Sequence, residues 1–231
     1  MSRTLKALSL LLSYPTDELK ADAAALRTAI LAEQDLKPKT KAALDPLFAS
    51  FMQRELLDLQ GHYTDLFDRT RSLSLHLFEH VHGESRERGQ AMIDLRDTYL
   101  AQGFHMTPQE LPDYLPAFLE FASLLPPREA RQLLAQPAHV FQALFERLAK
   151  RRTPYATVLQ AVVELAGGRI DPDAIEDLRR QPDASADDFA AVDAAWEEAP
   201  VKFGPETPQP TGFAAKMRAW KRPAERPAPT R

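Results

Sequence analysis

Apolar residues recur along the chain at intervals of three and four, the spacing that places side chains on one face of an α-helix. Leu5, Leu8 and Leu12 form the first such stripe, which Pro15 ends; Thr16 then caps a second helix with Asp17 and Glu18 in its first turn, where the helix dipole favours acids. A longer stripe runs Leu47, Phe48, Phe51, Met52, Leu56, Leu59, Tyr63, Leu66, Phe67, with Pro46 near its start, and predicts one central core helix. Ser85 is placed to cap a helix that carries Met92, Leu95 and Tyr99 on one face and stops at Gly103, a residue suited to a left-handed terminus.

In "MTPQELPDYLP" Asp113 is placed to cap a helix with Leu115, Phe118, Leu119, Ala122 and Leu125 facing inward, Pro116 falling in its first turn, where the missing N–H costs little. After Pro126-Pro127 a helix broken at Pro137 presents Val140, Phe141, Leu144, Phe145 and Leu148. Thr153-Pro154 opens another with Tyr155, Val158, Leu159, Val162 and Val163, closed by Gly167-Gly168. Short acidic helices are expected at 172–180 and 185–198. No stretch alternates apolar and polar residues long enough for a strand, and Leu and Ala outweigh Val and Ile, so the expected fold is all-α, a compact bundle of helices.

Composition divides the chain further. Ten acids and two arginines fall between Ile170 and Ala199, while seven Lys/Arg, two acids and seven prolines fall between Pro200 and Arg231. The expected organisation is a helical domain over 1–169, an acidic helical arm over 170–199, and a basic, Pro-rich tail over 200–231 that is extended or disordered. Within the tail, Phe213, Met217 and Trp220 share helical spacing among Lys216, Arg218, Lys221 and Arg222, a small basic amphipathic element. The overall net charge of −4 argues against a nucleic-acid partner, whose phosphates would call for a basic surface. The absence of cysteine removes disulfides, thiolate metal sites and cysteine nucleophiles, and fits a reducing compartment. The apolar run Leu8–Leu12 is too short to span a bilayer and carries no cleavage site, so neither export nor stable membrane insertion is expected.

One short stretch carries candidate chemistry. His76-Leu-Phe-Glu79-His80 spells H-x-x-E-H, the inverted zincin pattern, with His82 close by, so a zinc-dependent hydrolase is an alternative reading. Against it, the helix holding the motif can hardly pass Gly83, no strand is present to pair with a peptide, and no later residue recommends itself as third ligand. The expectation is therefore no metal and no catalytic residue. Glu79 and Glu84 are placed instead to pair with Arg86 and Arg88 around the Gly83 corner. With no Gly-rich phosphate loop, no bound nucleotide or pterin cofactor is expected either.

"YTDLFDR" (63–69), "SLSLHLFEHVHGESRERGQAMIDL" (72–95) and "ELPDYLPAFLEF" (110–121), in this order and spacing, closely resemble the signature stretches of the NarJ-type nitrate reductase molybdenum cofactor assembly chaperones. The resemblance covers roughly residues 4–165 and extends to the wider TorD/DmsD-type maturation chaperones. It implies an all-helical cytoplasmic protein without catalysis of its own. It also implies a partner, the catalytic (alpha) subunit of respiratory nitrate reductase, held in part through its N-terminal segment until the cofactor is inserted and attachment to the membrane subunit can follow.

Carried over by motif, the client-contacting or groove-shaping residues are Tyr63, Phe67, Asp68, His76, Phe78, Glu79, His80, Glu84, Arg86, Arg88, Gln90, Met92, Asp113, Tyr114 and Pro116. The wider group often has histidine where this chain has Tyr114, so a proton-dependent role is not expected there. The client segment in this family is a basic amphipathic helix-former, which implies a helix-in-groove mode, with Asp68, Glu79, Glu84, Glu110 and Asp113 as an acidic rim. The crowding of His76, His80 and His82 predicts a client affinity that varies with pH.

Overall fold

The computed structural model describes residues 1–82, 86–107, 110–168, 170–181 and 183; the expected helix over 185–198 and the basic tail lie outside them. Its elements are α1 (Ser2–Leu11), α2 (Asp17–Leu31), α3 (Pro38–Ala43), α4 (Asp45–Gln53), α5 (Leu56–Phe67), a 3-10 turn (Arg71–Leu73), α6 (Leu77–His82), α7 (Arg86–Ala101), α8 (Leu115–Leu124), α9 (Pro127–Ala135), α10 (Ala138–Lys150), α11 (Tyr155–Ala166) and α12 (Pro172–Arg180). No strand occurs among the described residues; the fold is all-α.

α8 lies in the core between α1 and α9. Leu115 to Leu119 are all buried, as are Phe121, Ala122 and Ser123, and a helix apolar on every side belongs inside a core. α1 lies along it, burying Leu5, Leu8 and Leu11, and the crossing is pinned where the Ser9 hydroxyl donates to the Pro116 carbonyl at 2.7 Å. α10 and α11 pack as a pair, α9 bridges α11 to α8, and α2 and α4 cover the other flank. The signals at Thr16, Pro137, Gly103 and Gly167-Gly168 act as read: the Thr16 side chain accepts the Leu19 N–H, and all three glycines have positive φ.

The long 47–67 stripe is two helices, not one, and it flanks the centre. Arg54 and Glu55 are extended, with ψ of 154° and 150°, although no Pro or Gly marks the break. The freed Arg54 carbonyl accepts from Lys20 Nζ at 2.7 Å, so a contact with α2 replaces the helical bond. The turn lets α4 lie against α2 while α5 swings Tyr63 and Phe67 inward.

α12 is held on α10 by a buried cation. Arg147, 4% exposed, donates to the Ser72 carbonyl at 2.7 Å and the Leu178 carbonyl at 2.6 Å, tying the 3-10 turn and α12 to one side chain. Ile175 and Leu178 close over it. Just beyond, Asp183 meets Arg151 at 2.8 Å.

Candidate functional site

The backbone before α6 runs antiparallel to the backbone before α8. The Leu77 N–H donates to the Asp113 carbonyl at 3.0 Å and the Leu115 N–H to the Leu75 carbonyl at 2.8 Å, which pairs His76 with Tyr114. Two of the three signature blocks thereby become one unit.

Asp113 is the keystone of that unit, and its role differs from the expected one. The N-cap of α8 is Tyr114, with no side-chain bond, so Asp113 does not cap its own helix. Its Oδ2 instead accepts the Phe78 N–H at 3.1 Å, and Oδ1 lies 3.2 Å from His76 Nδ1. Asp113 thus supplies the start of α6 with the acceptors a local cap would give, from 35 residues away. Being wholly buried, it cannot belong to an acidic rim.

The zincin geometry does not form. His76 precedes the helix and faces Asp113, whereas the buried His80 donates its Nε2–H to the Ser74 carbonyl at 2.8 Å. Burial holds the His80 imidazole below its ordinary value and hence neutral, which removes it from a pH-sensing role at the surface. Among the described residues no three His, Asp or Glu side chains converge on a point where an ion could sit.

Tyr114 shows one edge to solvent at the middle of an aromatic patch. Its ring lies 5.4 Å from that of His76, and its hydroxyl is 3.1 Å from the Tyr63 hydroxyl. Tyr63 donates to the Leu12 carbonyl at 2.9 Å, which leaves its oxygen to accept the Tyr114 proton. Burial pushes both phenols above their usual range, so both stay protonated donors. Tyr14 packs edge-on against Tyr63, and Phe67 continues the stack to Tyr155.

Beside this corner opens a cleft of about 400 Å³ between α7 and residues 104–107 and 110–112. Met92, Ile93, Tyr99, Leu100, Phe104, Met106 and Leu111 line it, with Arg96, His105 and Glu110 among its polar members. Ile93, Leu100 and Leu111 are 45%, 46% and 45% exposed, a notable amount of apolar surface for one hollow. The cleft joins the corner through Pro112, whose carbonyl accepts the buried Tyr99 hydroxyl at 2.8 Å. A second hollow, between α1 and the end of α2, is lined mainly by small and polar residues such as Thr28, Ala29, Gln34 and Asp35.

The residues singled out from sequence are sorted by this geometry. Tyr63, Phe67, Phe78, His80, Asp113 and Pro116 are buried and shape the corner from within. His76 and Tyr114 are partly exposed and Asp68 is exposed, so these can meet a partner. Glu79 pairs with Arg88 at 3.2 Å, as the charge pattern suggested, and Gln90 bonds Asp94 at 3.0 Å. Among the described members of the set, only Met92 lines the cleft. Glu84, and the side chains of Arg86 and His82, lie outside the described residues.

Sequence reading missed Ile93, Leu100, Phe104, Met106 and Leu111. The available signal was that Ile93 and Leu100, seven apart, form a second apolar face on α7 beside the inward stripe of Leu95 and Tyr99.

The nitrate reductase delta subunit family model matches residues 16–161. Over 199 residues the chain is 40% identical to the nitrate reductase molybdenum cofactor assembly chaperone NarJ of Escherichia coli K12, covering 86% of this chain and 84% of that protein. It is 38% identical over 202 residues to NarW of the same strain, which is assigned the same role, covering 86% and 83%. Among solved structures, a protein of Archaeoglobus fulgidus assigned to redox enzyme maturation superposes with a TM-score of 0.54 at 24% identity, over 71% of this chain and 92% of that one, a likeness of fold. None of the described helices is long and apolar enough to cross a membrane.

Proposed function

The chain belongs to the nitrate reductase delta subunit family, and from that premise we propose that it is an assembly chaperone that holds the catalytic subunit of respiratory nitrate reductase during molybdenum cofactor insertion. It acts in the cytoplasm, without catalysis of its own, and its handle is the client's N-terminal segment. That segment is seated as a helix in the α7 cleft, with the Tyr114 corner alongside. The observation that carries the reading is the cleft itself: apolar side chains open to solvent beside Tyr99 and Phe104, whose rings pack 5.4 Å apart and are backed by Phe121.

Affinity on this reading comes from apolar contact. Seating three aliphatic or aromatic side chains contributes about 5 to 9 kcal/mol gross, and ordering a flexible peptide takes back about 2 to 5 kcal/mol. Glu110 and the exposed Asp68 set orientation and encounter rate more than strength. A grip of that size can be released, as a chaperone requires.

Tagged full-length chain should recover the catalytic subunit from cells, and recovery should fall at least tenfold when the client lacks its N-terminal segment. Equal recovery of the truncated client would remove the handle from the proposal.

A further inference from the structure

The proposed function leaves the C-terminal amphipathic element unused, and the cleft supplies a place for it. Within a tail that holds seven prolines after residue 199, the stretch Thr211 to Arg222 (TGFAAKMRAWKR) contains none and is flanked by Pro210 and Pro223. Thr211 suits a helix N-cap, and Ala214, Ala215 and Ala219 favour the helix. Phe213, Met217 and Trp220 fall at i, i+4 and i+7, one apolar face, while Lys216, Arg218, Lys221 and Arg222 give four positive charges and no negative one. It has the chemistry that the family resemblance implies for the client segment: a short, basic, amphipathic helix.

We infer that residues 211–222 dock as a helix in the cleft between α7 and residues 104–107 and 110–112, an internal occupant that the client must displace; the displacement rests on the client reading above, the docking does not. Three observations bear on it. The apolar wall of α7 offered by Ile93 and Leu100 repeats every seven residues, the spacing of Phe213 and Trp220. Arg96 at the cleft lies 3.9 Å from Asp97, which offsets its charge, and Glu110 stands across the cleft to meet a cationic guest.

The tether of the tail starts from α10 and α6. Asp183 is held at Arg151, and the Gln181 amide lies 3.4 Å from the carbonyl of His80 in α6, the helix that leads into α7. The 29 residues between Asp183 and Phe213 span up to about 100 Å extended and roughly 30 Å as a flexible coil, enough to reach any point of α7. A tether of that length gives an effective concentration on the order of a millimolar, so even a weak internal ligand competes.

Trp196 and Trp220 are the chain's two tryptophans, which makes the test direct. In full-length Trp196→Phe protein, Trp220 should emit to the blue of free tryptophan and resist acrylamide several-fold, at all protein concentrations. Leu100→Asp or Ile93→Asp, each on an exposed side chain and checked for retained helicity, should expose it, as should saturating synthetic client peptide. The Phe213→Ala, Met217→Ala, Trp220→Ala variant should bind client peptide at least tenfold more tightly.

An exposed Trp220, protection unchanged by both cleft substitutions, protection that grows with protein concentration, or protection seen only with anionic phospholipid vesicles would each overturn the docking. If client peptide fails to bind while Trp220 stays shielded in a Leu100-dependent way, the client reading falls and the docked tail stands.

Discussion

Replacing Asp113 with alanine removes the acceptor of the buried Phe78 N–H and the partner of the partly exposed His76 Nδ1. Leaving the buried Phe78 N–H without its partner costs about 1 to 3 kcal/mol, and the lost hydrogen bond to His76 adds about 0.5 to 1.5 kcal/mol, so the two together predict about 2 to 4 kcal/mol of lost stability. For a chain of this length that lowers the melting temperature by roughly 5 to 12 °C. Asparagine keeps one carbonyl oxygen for the Phe78 N–H and should lose about half as much. Urea denaturation followed by circular dichroism gives the free energies, and hydrogen exchange at the Phe78 amide reports the site itself. A midpoint in Asp113→Ala equal to wild type, with Phe78 still protected, would refute the assignment of Asp113 as the cap of α6.

Arg147→Met should lower stability by about 2 to 4 kcal/mol, because two hydrogen bonds from a charged donor vanish, and proteolysis or hydrogen exchange should show residues 172–180 opening first. Because burial lowers the His80 pKa in the folded chain, the neutral form is the folded one: stability is complete above about pH 6.5 and falls as pH drops through the lowered folded value. A urea series between pH 7.5 and 5 checks this, and the slope should flatten in His80→Asn. Glu110→Lys should slow association of a basic client peptide several-fold at low salt while leaving its dissociation nearly unchanged, as stopped-flow fluorescence would show.

The helices were readable because their ends carry local chemistry. Thr16, Pro127, Pro137, Pro154 and the Gly167-Gly168 pair each act on the backbone within a turn, so a window of sequence holds all the information. The break at Arg54-Glu55 was not readable, since it is set by Lys20 reaching across from α2. Asp113 misled for the same reason. Its position before "YLP" suits a cap, yet pairing of the 75–77 and 113–115 segments aims its carboxyl group at α6.

Two of the signature blocks meet at one corner of the molecule, and Tyr63, Phe67, Phe78, His80, Asp113 and Pro116 build it from inside. The cleft next to it is walled by α7 and by a loop with no periodicity to read, so Phe104, Met106 and Leu111 carried no sequence signal of shared location. Shape formed between a helix and an irregular segment is a tertiary property.

The claim that the α7 cleft seats the client is tested most directly by calorimetric titration of the full-length chain, wild type and Leu100→Asp, with a synthetic peptide of the catalytic subunit's N-terminal segment. One peptide per chain should bind with a negative heat-capacity change, the mark of apolar burial, and Leu100→Asp should weaken it at least tenfold without altering the fold. Binding of equal strength to both proteins would contradict the account.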